Sequence, residues 1–249
     1  MRHAILALTA TATFAFVGAA SAEGDAKPRA LILTGENNHD WKATTPRIKE
    51  ALEQGGYFQI DVSDDPTAPI LSEPEKLKAY KIIVLNLNRG KRWAADREAN
   101  FLDFVKQGGG LVVVHASNNA FDGWEDYDKL VGGTWRGKGT AFPDRGTFHP
   151  AYGPFEVKVV DAEHPITRGL EPTFTTTDEK YSNLRLQKDI HVLAQAEEGG
   201  KPQPLLFVLT AGKGRVFHTA LGHDLAAMQN PQFLDTLIRG ARWAAGDLK

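Results

Sequence analysis

Gly108-Gly109-Gly110-Leu111-Val112-Val113-Val114-His115-Ala116-Ser117 joins a glycine turn, an unbroken apolar run and a histidine after which the chain turns polar. Four consecutive aliphatics leave no solvent-facing side, which suits a parallel strand covered by helices on both faces. The glycines read as the stop of a preceding helix. Ligands of open α/β sheets bind beyond the carboxyl ends of the strands, so His115 stands where a site residue would stand. Taken alone, the stretch fits a histidine satisfied inside the core equally well.

The surrounding sequence supports an alternating α/β chain. Residues 29–35 read as a first strand ending at Gly35, and residues 81–86 as another that turns polar at Asn86-Leu87-Asn88-Arg89. A less buried strand is expected over 57–62. Thr45 and Pro46 look like the N-cap and first position of a helix with the stripe Ile48, Ala51 and Leu52, stopped by Gly55-Gly56. Further helices are expected over 73–80 and 96–107, the latter with Phe101, Leu102, Phe104 and Val105 at helical spacing. Strand and helix thus alternate four times, which implies right-handed crossovers and a parallel sheet.

Beyond His115 the pattern changes. Residues 124–133 form a short helix capped by glycines, and the irregular stretch 134–153 is long enough to read as a lid or wall of a site. Residues 154–160 alternate with period two, as an antiparallel or edge strand does. Strands over 190–196 and 204–209 and the run from Gly214 follow. A last helix over 231–245 carries Phe233, Leu234, Leu237, Ile238, Ala241 and Trp243 to close the sheet's other face.

With 249 residues, 42% of them hydrophobic, the chain can bury a full core as one domain over 29–247. Its 29 basic and 31 acidic residues are interspersed, so no basic stripe points to nucleic acid. Residues 1–22 read as a secretory signal peptide: Arg2 and His3, the alanine-rich apolar run 4–17, then Ala20-Ser21-Ala22 with cleavage after Ala22. Residues 23–28 are a linker. The run is too short for a convincing span, so a periplasmic or secreted protein with no membrane attachment after cleavage is expected. The chain has no cysteine, which excludes disulfides, thiolate ligands, a thioether lipid anchor and a cysteine nucleophile.

Besides His3 there are seven histidines, and their settings differ. His39, His115 and His223 each follow an apolar strand, in loops rich in Gly, Asn and Asp, where an α/β site gathers its residues. Asp40 and Asp224 follow two of them, and a carboxylate beside a histidine can fix its tautomer and raise its basicity. His191 and His218 are assigned to structure, and His164 before Pro165 to a turn. His149 before Pro150 sits in the long loop, where a rigid turn could hold it over a pocket. Asp178, Glu179 and Tyr181 by themselves fit a charged turn. A Gly-rich phosphate loop is missing, since the three glycines precede a strand, so NAD and ATP are not expected. Ser117 lacks the glycines of a serine-hydrolase elbow.

Several blocks in fixed order resemble the ThuA-like family, the trehalose-utilisation proteins of the class I glutamine amidotransferase-like superfamily. They are Thr34-Gly35-Glu36-Asn37-Asn38-His39-Asp40-Trp41, the strand to His115, Gly132-Gly133-Thr134-Trp135, His149-Pro150, residues 164–170, Asp178-Glu179 with Tyr181, and Ala220-Leu221-Gly222-His223. The resemblance spans nearly all the chain beyond residue 28. It implies a flavodoxin-like, doubly wound and mainly parallel sheet with helices on both faces and antiparallel strands added in the C-terminal half. It also implies loss of the amidotransferase cysteine, and a link to disaccharide catabolism in which a partner dehydrogenase first makes a 3-keto sugar. His39, His115, His149, Glu179, Tyr181 and His223 would then line the site. Trp41, Asn88, Trp135 and Asp224 are expected to contact the substrate.

The expected function is sugar processing on a 3-keto disaccharide or glycoside, by proton abstraction beside the carbonyl leading to isomerisation or glycosidic elimination. His39, His115 and His223 could hold a divalent metal such as zinc, or act without one. A direct glycoside hydrolase is the first rival; it needs two opposed carboxylates, whereas the adjacent Asp178 and Glu179 would point apart. A carbohydrate-binding protein using Trp41, Trp124 and Trp135 as platforms is the second. The expected partner is a small-molecule sugar, with a homo-oligomer left open.

Overall fold

Every second residue of a strand faces the same side of its sheet, so an unbroken apolar run divides between two cores. That division organises the computed structural model, which describes residues 26–137 and 146–248. The expected signal peptide and part of the expected linker, like positions 138–145 of the long loop, lie outside the described residues. In chain order come β1 (Arg29–Leu33), α1 (Trp41–Gln54), β2 (Gln59–Ser63), α2 (Pro74–Leu77), β3 (Tyr80–Leu85), α3 (Ala95–Lys106) and β4 (Gly110–Val114). Then follow α4 (Glu125–Val131), β5 (Gly133–Thr134), β6 (Gly153–Val159), β7 (Thr173–Asp178), β8 (Arg185–Leu186), β9 (His191–Glu198), β10 (Lys201–Ala211), β11 (Gly214–Thr219) and α5 (Pro231–Ala244).

The main sheet has the order β2-β1-β3-β4-β11-β10-β9-β6-β7. Its first five strands are parallel, in the spatial order of a flavodoxin-like sheet. Ala30, Ile32, Ile82, Val84, Val112 and Val114 meet α1 and α5. Their alternates Leu31, Leu33, Ile83, Leu85, Leu111 and Val113 share the second core with α2, α3 and α4. The glycine run has more than one task. Gly108 takes φ +117°, a conformation open to glycine, and a Cβ on Gly110 would lie 2.5 Å from Ala244 O, so α5 can seat only on a bare backbone there.

The remaining four strands are antiparallel to their neighbours. Four reversals separate β11 from β7, so β7 runs in the same sense as β11 and ends at the same edge; β6, one reversal back, begins there. Strands lie about 4.8 Å apart, so a flat sheet would place β7 about 19 Å from β11. The sheet instead curls until the carboxyl end of β7 touches the loop after β11, with Gly222 N 2.7 Å from Asp178 Oδ2.

Two expectations need correction. The first helix starts at Trp41, not after Thr45: Asp40 accepts a hydrogen bond from Ala43 N as its cap, and Pro46 lies inside the helix. Pro46 has no N–H for the carbonyl four residues back, a loss the helix tolerates near its start. The threonine run before Asp178 is the edge strand β7, its side chains alternately exposed and buried. β-branched threonine suits such a half-wet strand.

His218 is fully buried in β11 and belongs to structure, as the sequence suggests. Its Nδ1–H donates to Val131 O at 2.8 Å, its Nε2 accepts from Asn118 Nδ2 at 3.2 Å, and its ring stacks on Phe207. Burial pushes its pKa down to about 4. Between pH 6.5 and about 4 the unfolded chain therefore binds a proton that the folded chain refuses, and stability falls as pH drops through that window. His218→Asn should make the dependence of unfolding free energy on pH shallower near pH 5 by up to about 1.4 kcal/mol per unit, measured by urea titration. An unchanged slope would contradict the assignment.

Candidate metal centre

Each cluster residue is delivered by a different strand end. His39 lies in the β1–α1 loop, where Asn37 Oδ1 accepts from its backbone N at 3.0 Å and lies 3.1 Å from its Nδ1. The exit of β3 braces this loop: Asn88 Nδ2 donates to Asn38 Oδ1 at 2.6 Å, and Arg89 pairs with Glu36 at 2.9 Å. His115 directly follows β4 at φ 45°, opening a short 3-10 turn over His115–Asn119. A left-handed backbone is uncommon for a residue with a Cβ and costs on the order of 1 kcal/mol, which the surrounding structure must offset. Part of that restraint is the bond from His115 Nδ1–H to Ala220 O, 2.7 Å, just beyond β11.

Asp178 joins the two halves of the site. Its buried carboxylate accepts from Gly222 N at 2.7 Å, His223 N at 3.1 Å and Glu179 N at 2.8 Å. Burial raises its pKa, opposed by His115 and by these N–H groups. The two acids point apart, as adjacency predicts: Asp178 is 1% exposed and turned into the fold, while Glu179 reaches the histidines. His149, just before β6, is held beside Glu179 by the backbone bridge between Phe148 and Ser182, and its Nδ1–H donates to Pro150 O at 2.8 Å.

Glu179 Oε2 lies 3.1 Å from His223 Nδ1, 3.4 Å from His115 Nε2 and 3.6 Å from His39 Nε2. Its Oε1 lies 3.5 Å from His149 Nε2. One ligand atom from each of His39, His115, Glu179 and His223 falls within 4.8 Å of all the others. The tautomers follow from the partners. A carbonyl oxygen can only accept, so Nδ1 of His115 and of His149 carries the proton and Nε2 presents a lone pair; Asn37 sets His39 the same way. His115 Nε2 and His223 Nδ1 are buried and unpartnered by any hydrogen bond. Lone pairs aimed at a carboxylate repel unless a cation lies between them, and histidines whose far nitrogens are bonded to carbonyls are the usual form of a metal site.

The electrostatics agree. Burial raises the Glu179 carboxyl, but the imidazoles around it, His115 first, attract the carboxylate whenever they carry a proton and so bring the group to about 2. Burial, then the charges of His115 and His223, bring His39 to about 4 against the pull of Glu179. At neutral pH the set therefore offers a carboxylate with a neutral His39, the forms that bind metal.

The other expected residues take different places. Tyr181 is buried with its ring 4.3 Å from that of His115, and Trp135 lies 4.6 Å from Tyr181 and 5.7 Å from His149, so the pair forms a wall of the cluster. Burial, with Glu179 and Asp178 nearby, raises the Tyr181 phenol well above its ordinary value. Trp41 lines a separate cleft of about 400 Å³ with Thr34, Thr45, Pro46, Val62 and Asp64. Asn88 braces the His39 loop, and Asp224 Oδ1 accepts from Ala227 N and from Tyr152 Oη. Trp124 is no platform, being 3% exposed among Trp93, Phe121 and Tyr127. The sequence reading missed Asp178 and Tyr152; adjacency to Glu179 and to the His149 loop was the one available signal.

Fold and site together define a flavodoxin-like α/β protein with a three-histidine, one-carboxylate cluster at the carboxyl ends of its strands. The chain belongs to the ThuA family, described as trehalose utilisation, whose model matches residues 29–244. It is similar to a ThuA-like protein from Parabacteroides merdae, at 29% identity and TM-score 0.81 over 90% of this chain and 92% of that one. A ThuA-like protein from Bacteroides uniformis shares the fold at 22% identity and TM-score 0.67, covering 91% and 94%. A β-galactosidase from Rahnella shares the fold alone, at 15% identity and TM-score 0.58, with 88% of this chain against 31% of that one. No curated protein matches the chain.

Asp178→Ala should cost about 2–4 kcal/mol in urea unfolding, because three N–H groups, that of Gly222 buried, lose their acceptor. A cost below about 1 kcal/mol would contradict its bracing role.

Proposed function

We propose that this ThuA-family protein is a periplasmic enzyme that processes a 3-keto disaccharide or glycoside, using a divalent cation such as zinc held by His39, His115, His223 and Glu179. The observation that carries the reading is the convergence of three imidazole nitrogens and a carboxylate on one point, with the far nitrogens of His39 and His115 bonded to oxygen acceptors. The signal-like residues 1–22 support the location, and the family's description supports a sugar substrate. When bound, such a cation polarises a carbonyl oxygen as a Lewis acid.

The residues of the chain do the rest. His149 stands outside the four-donor set with a free Nε2 lone pair and a half-open side chain, so it takes the proton from the carbon beside the carbonyl. In a 3-keto pyranoside that carbon is C2: its C–H bond breaks, the electron pair forms the enolate and then the C1–C2 double bond, and the C1–O bond leaves with its electrons. The departing alkoxide receives a proton, completing elimination; reprotonation of the enolate instead gives isomerisation. Tyr181 and Trp135 keep His115 and His149 in place and shield that side from water. The hydrolase alternative lacks support, because Asp178, the neighbouring acid, is committed to backbone N–H groups.

The test is to incubate the mature protein with a disaccharide and its 3-keto derivative in deuterated water, with and without chelator, followed by NMR. Deuterium incorporation or cleavage confined to the keto sugar and lost with chelator is the expected result. Cleavage of the parent sugar would instead indicate a hydrolase, and binding without turnover a binding protein. His115→Ala should lower turnover at least about 100-fold while circular dichroism stays native; surviving activity would sink the assignment.

A further inference from the structure

The mouth of the cluster carries an aromatic side chain that the reaction above leaves unused. Tyr152 is 40% exposed, one of five large hydrophobic residues left so open among the described residues, and Leu225, at 42%, is another. Tyr152 flanks the cluster, its ring centroid 5.3 Å from that of His223, and Leu225 follows His223 by two residues in the chain. The Tyr152 ring is also fixed. Its hydroxyl donates to Asp224 Oδ1 at 3.2 Å and lies 3.4 Å from Thr177 O, while Asp224 Oδ1 accepts from Ala227 N at 2.8 Å. Tyr152 is thereby tied to two of the four segments that deliver ligands, since Thr177 precedes Glu179 by two residues and Asp224 adjoins His223.

A phenol whose hydroxyl is spent on the protein has little left to offer a ligand except its ring. Leaving that ring partly in water forgoes burial that a ligand recovers by covering it. The ligand must be amphipathic, since an apolar ring stands directly beside an imidazole of the polar cluster. A pyranose meets both demands, with a face of C–H groups for the ring and an edge of oxygens for the polar cluster. We propose that Tyr152 and Leu225 form the floor of a pyranose subsite, on which the sugar's apolar face rests while its carbonyl edge points to His223 and Glu179. This inference depends on the sugar-processing reading. Tyr152 would be a substrate-contacting residue that sets affinity, and it takes no part in bond making.

The experiment measures trehalose binding to the mature, zinc-loaded protein by calorimetry for wild type, Tyr152→Phe, Tyr152→Ala and Leu225→Ser, with zinc content determined on each sample and KM and kcat on the 3-keto sugar. Tyr152→Phe, which keeps the ring, should bind within about 3-fold of wild type, and Tyr152→Ala about 10-fold or more weaker. Leu225→Ser should weaken binding by a smaller factor. Zinc content should be unchanged, and the loss should fall on KM more than on kcat. Equal affinity of Tyr152→Ala and wild type overturns the subsite but leaves the enzyme reading intact. An equal loss in the Phe and Ala variants, or a loss that tracks zinc content, shows that the tether to Asp224 matters and not the ring, and also overturns it. A wild type that binds no sugar and turns none over defeats the functional reading itself, and the subsite with it.

Discussion

The site depends on one buried carboxylate. Asp178 ends the far edge strand of a nine-stranded sheet, yet its oxygens accept from the backbone of Gly222 and His223, beyond a strand four places away. A sheet can curl that far only if something repays the desolvation of the acid, and three N–H groups do so. The curl makes the antiparallel half more than an appendage: it carries Glu179 back over the parallel half, where His39, His115 and His223 already wait.

The parallel half contributes rigidity. His115 sits on a left-handed residue directly after a fully buried strand, with its outer nitrogen bonded to the carbonyl of Ala220. The exit of β3 pins the loop bearing His39 through Asn88 and Arg89. Orientation is therefore set before any ligand arrives, which lowers the entropic cost of binding and keeps the lone pairs converging. The low pKa of Glu179 follows from the same crowding, as the imidazoles around it outweigh its burial.

Much of the fold was legible because its signals are local. The aliphatic runs before Thr34, Asn86 and His115 need cover on both faces, and the period-two alternation of residues 154–160 needs one wet face; the structure agrees with both. The start of α1 was misread because Thr45-Pro46 imitates a helix start, whereas the Asp40 side chain makes the cap six residues before Pro46. The strand β7 was missed because threonine is as common in turns as in half-buried strands, and only its pairing with β6 separates the two.

By itself the sequence determined the family, the alternating first half and three histidines at the ends of apolar strands, because strand burial and loop polarity are written in neighbouring residues. Only the tertiary structure decided that these histidines share a point with Glu179, that the Nε2 lone pairs of His39 and His115 face inward, and that Asp178 accepts from the backbone instead of facing a substrate. Those facts depend on the curl of the sheet and on carbonyl acceptors such as Ala220 O, 105 residues from the imidazole it orients. A main-chain carbonyl is the same in every residue, so no side-chain pattern could announce which one His115 would find.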